Sequence, residues 1–397
     1  MTQAPLRIVV LGLSLSSSWG NGHATTYRAL LSAFAKLGHH ILFLERDVPW
    51  YAQHRDLEAP PYCRLALYRS LDGLTQHAAE VASADAVIVG SYVPQGIEAG
   101  DWVLKTARGV TAFYDIDTPV TLAAVSAGTC EYLAARQIAD YDIYFSFTGG
   151  PVLTQLEQRY GAHAARALYC SVDPNHYRPM RVERRWDLGY LGTYSADRQP
   201  ALDRLLIEAA RRRPHMRFVV AGPQYPGTGT WPTNVEHIPH LPPSDHPRFY
   251  SSVAWTLNVT RADMIAAGYS PSVRLFEAGA CGTPIISDAW DGLETIFSKE
   301  REIVIASSTE DVLRALDMPE RQRLRIGAEA RRRTLAEHTA ELRAAELERQ
   351  LKTAITRQRS TGHDSAVTRN LEHSGGTYVP GAVRGSPPSS HTDGQEQ

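Results

Sequence analysis

The chain is short of lysine. Of its 41 basic residues only Lys36, Lys105, Lys299 and Lys352 are lysines. That skew towards Arg reads as genome composition before function, although Arg suits phosphate recognition. Cysteine is also scarce. Cys63, Cys130, Cys170 and Cys281 are scattered with no CxxC pair, which excludes a disulfide frame or a zinc site and points to buried thiols in a reducing compartment. An excess of one charge is missing, with 41 basic against 43 acidic residues and a net charge of −2. A dedicated nucleic-acid binder would be strongly basic, so no nucleic-acid partner is expected. There is no apolar run long enough to cross a bilayer and no signal peptide is expected, which predicts a cytoplasmic protein. Peripheral membrane contact stays open. The 15 His form no HExxH or Cys/His spacing, so no metal site is expected, and no GxSxG nucleophile elbow is found.

What is present is alternation. At 397 residues and 43% hydrophobic content there is enough chain for two cores. Leu6 to Leu13 is an apolar run of the kind buried on both faces of a parallel sheet. Strands recur at Ile41–Leu44, Ala86–Val89, Val110–Tyr114 and Tyr141–Phe147, each with a plausible helix between, so the fold class is α/β with a doubly wound sheet. The pattern breaks between Val172 and Arg185 and then begins again at Leu188–Leu191, Phe218–Ala221, Val253–Val259 and Ile303–Ile305. We expect an N-terminal domain over 1–175, a second domain over 176–318 and a helical segment over 319–358. The last of these either packs back on the first domain or stays solvated. The tail 359–397 turns to Gly, Ser, Pro, Thr and His and is expected to stay disordered.

The most informative stretch is Ser270-Pro271-Ser272-Val273-Arg274-Leu275-Phe276-Glu277-Ala278-Gly279-Ala280-Cys281-Gly282-Thr283-Pro284-Ile285-Ile286. It reads as a helix capped by Ser270, with Pro271 at the first helical position, feeding a buried strand. Arg274 and Glu277 share a helix face. The free N–H groups of the helix start favour an anion, so phosphate and sugar hydroxyls fit this segment. A surface ion pair is the plainer alternative.

Other candidates lie where strands end. The loop Gly12 to His23 is too long for GxGxxG, and a dinucleotide reading would need Glu45 as its ribose acid. Its residues Trp19, Gly20, Asn21 and Gly22 suit an acceptor-binding loop, and His23, which opens the next helix, either bonds local backbone or takes a catalytic or sugar-binding role. Asp115 and Asp117, two apart in extended chain, are expected to point the same way, one of them serving as base or sugar ligand. In the second domain Thr193 and Arg198 follow one strand, His240 another, and Asn258 and Arg261 a third. Each alone is also a plain polar loop.

Three segments carry a resemblance. Ser18-Trp19-Gly20-Asn21-Gly22-His23, Tyr114-Asp115-Ile116-Asp117-Thr118-Pro119 and Ser270 to Glu277 are similar to the CgeB-like (spore-protein glycosyltransferase-like) family, within the GT-B glycosyltransferases. The likeness covers about Leu6 to Gln350. It implies two Rossmann-like domains facing across a cleft. It further implies that a nucleotide-diphosphate sugar is co-substrate, with no other cofactor and no metal. Glu277 would bind the nucleotide ribose. Ser270, Ser272 and Arg274 would contact the diphosphate or donor sugar, and Arg198 the pyrophosphate. The first domain would bind the acceptor, whether a glycan or a lipid-linked, protein or small-molecule hydroxyl. Many retaining relatives carry a second Glu where this chain has Tyr269, which leaves the stereochemistry open. A nucleotide-sugar epimerase and a non-catalytic nucleotide- or sugar-binding homologue are the alternatives, with a nicotinamide oxidoreductase behind them.

Overall fold

The computed structural model describes residues 4–19 and 22–373, with side chains through residue 360 apart from that of Thr228. The chain clusters into two units, 1–355 and 356–397. Both sheets belong to the first.

The first sheet holds β1 (Arg7–Gly12), β2 (His40–Arg46), β3 (Arg64–Tyr68), β4 (Ala86–Gly90), β5 (Val110–Asp115), β6 (Ile143–Ser146) and β7 (Ala165–Ala167). Its order is β3-β2-β1-β4-β5-β6-β7, with every pairing parallel. The second holds β8 (Trp186–Leu191), β9 (Phe218–Ala221), β10 (Val235–Ile238), β11 (Val253–Asn258), β12 (Ile285–Ser287) and β13 (Val304–Ile305), in the order β10-β9-β8-β11-β12-β13. It too is parallel throughout.

Period-two alternation explains why both faces are apolar. Ile8 and Val10 of β1 join one core cluster, Val9 and Leu11 the other. In the second sheet Val219 and Ala221 face one cluster and Val220 the other. Strand order reverses between β1 and β4, and again between β8 and β11. These switch points open crevices at the carboxyl ends of the strands, where ligands bind in open α/β sheets. The chain therefore has two Rossmann-like halves.

The expected helical segment 319–358 is two helices, Glu320–Glu337 and Ala340–His373. They part at His338 and Thr339, where Val172 forms a bridge with Thr339 and accepts from the Ala340 N–H at 2.8 Å. Ala340, Ala344, Leu347, Leu351 and Ile355 recur at helical spacing and join the core of the first sheet. This helix thus packs back on the first domain. Each of the two buried leucines stabilises that packing by roughly 1.5–3 kcal/mol. The helix continues to His373, into the part of the chain expected to be disordered. Residues 374–397 of that tail lie outside the described residues. Among the described residues no helix is long and apolar enough to cross a membrane.

Candidate active site

A cavity of about 660 Å³ lies between the carboxyl edges of the two sheets, lined from both halves of the chain. Polar contacts tie the halves together beside it. Thr148 Oγ1 and Ser270 Oγ lie 2.5 Å apart. Gly149 N–H donates to the Tyr269 carbonyl at 3.0 Å, and the Cys170 thiol donates to the Pro271 carbonyl at 3.2 Å.

The second half supplies a buried carboxylate and three cations. Glu277 sits in the helix Val273–Ala280, is 4% exposed and lines the cavity. The Tyr177 hydroxyl donates to its Oε1 at 2.8 Å and the Tyr250 hydroxyl to its Oε2 at 2.9 Å. Burial alone would raise the carboxyl; His246 and the two tyrosines outweigh it and hold the group below the usual glutamate value. At 3.8 Å the His246 contact is a charge contact, present only when that ring is protonated. A carboxylate accepts about four hydrogen bonds, so two remain for ligand hydroxyls.

Arg274 sits one turn before Glu277. Its Nε donates to the Leu191 carbonyl at 2.5 Å, its Nη1 to Asn258 Oδ1 at 2.8 Å, and the guanidinium lies 4.9 Å from the Tyr190 ring centroid. Arg198 donates from Nη2 to the Thr193 carbonyl at 2.7 Å, while its Nε is buried without a partner. Among the described residues both arginines hydrogen-bond to neutral acceptors only. The third, Arg261, faces the first half, with Nη1 3.7 Å from Asp117 Oδ2. Thr193, Ser270, Ser272 and His240 also line the cavity.

The first half supplies His23 and Asp117. His23 opens the helix His23–Lys36, is 8% exposed and lines the cavity. Burial pushes its imidazole down to about 4, so it is neutral near pH 7, and its Nδ1 has no partner among the described residues. Its ring meets Tyr92 edge-on at 5.2 Å. The Tyr92 hydroxyl donates to Asp117 Oδ2 at 3.2 Å. Burial raises the Asp117 carboxyl; Arg261, Tyr92 and Arg198 pull it back without cancelling the rise.

Several expectations need correction. Asp115 and Asp117 do not point the same way, because β5 ends at Asp115 and the chain turns. Asp115 is fully buried, off the cavity, accepting from Tyr144 and Thr121 hydroxyls at 2.5 and 2.8 Å. Burial lifts it to about 6. It also accepts the Asp117 N–H at 3.2 Å, so it positions its neighbour. Asn258 is fully buried too. Its Oδ1 accepts from both Ser272 Oγ and Arg274 Nη1, making it a bracket rather than a ligand contact. Ser270 is not the cap. The helix begins at Val273 with Ser272 as N-cap, and the Ser272 hydroxyl goes to Asn258 instead of the helix. Tyr269 is absent from the cavity wall. Its ring fills the slot between Gly150 and Gly292, where a methyl on either glycine would overlap it. Glu45 is fully buried and accepts the Leu15 and Ser16 N–H groups at 2.7 and 2.8 Å, pinning the serine-rich loop. It cannot reach a ribose, which removes the dinucleotide reading.

Trp19 stacks on His54 at 4.4 Å and meets His240 of the other half at 4.2 Å with the rings tilted by 37°. Gly22 lines the cavity, while Gly20 and Asn21 lie outside the described residues. Among the described residues no three His, Cys, Asp or Glu side chains gather as a metal cluster. Sequence reasoning missed Tyr92, Tyr177, Tyr250 and His246. The signals would have been the places of Tyr92 and Tyr177 just beyond strands and the four-residue spacing of His246 and Tyr250 on one helix.

Comparison with known proteins bears on this geometry. Residues 198–349 match the family model described as glycosyl transferase-like. The fold is GT-B. Sucrose-phosphate synthase from Thermosynechococcus elongatus superposes with a TM-score of 0.63 at 15% identity, covering 88% of this chain and 100% of that one. Anabaena HepE in complex with UDP gives 0.66 at 11%, with the same coverage. An alpha-glucosyltransferase in complex with UDP-glucose and DNA containing an abasic site gives 0.66 at 12%, again covering 88% and 100%. No curated protein matches the chain.

Proposed function

We propose that this protein is a glycosyltransferase of the CgeB-like family, moving a sugar from a nucleotide-diphosphate donor to an acceptor hydroxyl in the cytoplasm. One observation carries the reading: an ionised carboxylate, Glu277, shares a cavity with two arginines, Arg198 and Arg274, that have no carboxylate within ion-pair distance among the described residues. Together they match a ribose diol beside a diphosphate. Glu277 accepts the ribose hydroxyls with its remaining lone pairs. Arg274, Arg198 and the N–H groups at the start of the Val273–Ala280 helix meet the diphosphate and stabilise its departing charge. These cations supply the leaving-group stabilisation, so the reading calls on no metal. Ser270, Ser272 and Thr193 line the same side.

His23 and Asp117 face this group from the first half. Neutral His23 accepts a hydrogen bond from the acceptor hydroxyl, and Asp117, raised by burial, is a stronger base than a free aspartate. Closure of the two halves on the donor excludes water from the transfer. The four free cysteines fit a reducing compartment. HepE and the alpha-glucosyltransferase, both solved with UDP or UDP-glucose, make those the first ligands to try.

A thermal-shift screen with UDP-, GDP-, ADP- and TDP-sugars tests the reading. A ligand that binds only the folded state raises Tm, by an amount set by its concentration over Kd. One nucleotide series should do so. A flat response to all of them would reject a nucleotide-sugar site.

A further inference from the structure

The three cavity arginines are not equivalent. Arg198 and Arg274 are held by neutral acceptors: the Thr193 carbonyl in one case, the Leu191 carbonyl with Asn258 Oδ1 in the other. Arg261 alone among them has a carboxylate within ion-pair distance, Asp117 Oδ2 at 3.7 Å, and that carboxylate comes from the opposite half. Both partners are partly exposed in the cavity, Arg261 at 37% and Asp117 at 20% of the side chain. Such a pair is weak and can be exchanged. A diphosphate in the cavity carries more negative charge than Asp117 and offers several oxygens to one guanidinium.

We propose that Arg261 is a relay: it is paired with Asp117 while the donor site is empty, passes to the diphosphate when the donor binds, and so frees Asp117 for the acceptor hydroxyl. This rests on the reading above and adds to it that donor binding strengthens Asp117 as the base for the acceptor hydroxyl. Until the exchange, Asp117 is occupied by a cation and by the Tyr92 hydroxyl. Both contacts fall on Oδ2, so after the exchange that oxygen keeps Tyr92 alone and the carboxylate is rid of the cation that weakens it as a base.

The exchange has a proton signature. The groups facing Asp117 are Arg261 and Arg198 from the second half, Tyr92 from the loop after β4, and Asp115 two residues before it at the end of β5; His23 lies beyond Tyr92. Moving Arg261 away and placing an anion nearby both favour the protonated acid. UDP binding in the mildly acidic range therefore draws up to one proton onto Asp117.

The test is calorimetry of UDP binding in buffers of differing ionisation heat, with wild type, Asp117→Asn and Arg261→Gln, each checked for native melting. The phosphate's own proton change is common to all three proteins. Wild type should take up more protons per UDP than either variant. Asp117→Asn, which releases Arg261 beforehand, should bind UDP about two- to fivefold tighter. Equal proton uptake in wild type and Asp117→Asn, or weaker binding by that variant, would overturn the relay while leaving the nucleotide site intact. If no nucleoside diphosphate binds wild type, relay and site fall together.

Discussion

The hydroxyl of Tyr177 donates to Oε1 of Glu277 at 2.8 Å across a hundred residues of chain. Tyr177 lies on the connection between the two sheets, so the segment joining the halves also holds the carboxylate in place. Tyr250, at the end of the helix His246–Ser252, holds the other oxygen.

Removing one of these hydroxyls should weaken the donor site through Glu277. A hydrogen bond to a charged group contributes about 1.5–3 kcal/mol. Tyr177→Phe or Tyr250→Phe should therefore lower UDP affinity about tenfold. The pH dependence has a definite sign. Glu277 is held below its ordinary value, so its grip is full near neutrality and is lost only as pH falls through that depressed value. In either Phe variant the carboxyl rises, and the acid loss of binding should begin at higher pH. Isothermal titration from neutral to acid pH measures both effects.

Asn258 should behave as a bracket. Replacing it with Ala takes away the oxygen shared by Arg274 and Ser272 and leaves part of a buried guanidinium unpaired. The expected cost is about 1–3 kcal/mol of folding stability, read as a lower urea midpoint. Donor affinity should fall with it, because Arg274 is no longer aimed. A direct ligand contact would lose affinity without losing stability, so the two measurements together separate the roles.

Acid should destabilise the fold through two histidines. Burial pushes His23 down to about 4, and His338 down to about 3, aided by Arg343 and Arg333. Unfolded, both take up protons near 6.5. Their native pKa values are the lower ones, so stability is full above about pH 6.5 and falls as pH drops towards 4. His338 stacks on Phe276 at 4.4 Å, so His338→Phe keeps an aromatic ring there while removing the titration. Urea unfolding should show a flatter pH slope for His338→Phe than for wild type, whatever the absolute stability of the variant.

Much of this was legible in the sequence, and the limits have physical causes. Apolar runs such as Leu6 to Leu13 and Pro284-Ile285-Ile286 marked buried strands because a parallel strand covered on both faces has no polar period to lose. Glu277 and Arg274 stood out because they share one helix face in a recognisable segment. Asp115 and Asp117 misled because alternation holds only while the chain stays extended, and it turns after Asp115. Ser270-Pro271 looked like a helix start, yet the hydroxyl was claimed by Thr148 from the other half. Tyr177 was invisible because it reaches the carboxylate from a separate segment, and His246 and Tyr250, though four apart on one helix, carry no local sign that their shared face meets Glu277.

The central claim is that Glu277 grips the pentose of a nucleoside diphosphate in the cavity between the halves. Calorimetric titration of UDP into wild type and Glu277→Gln tests it most directly. The account predicts measurable binding by wild type and a loss of about 10–100-fold in the variant, measured at a temperature where both proteins are folded. Equal affinity in the two proteins would contradict it.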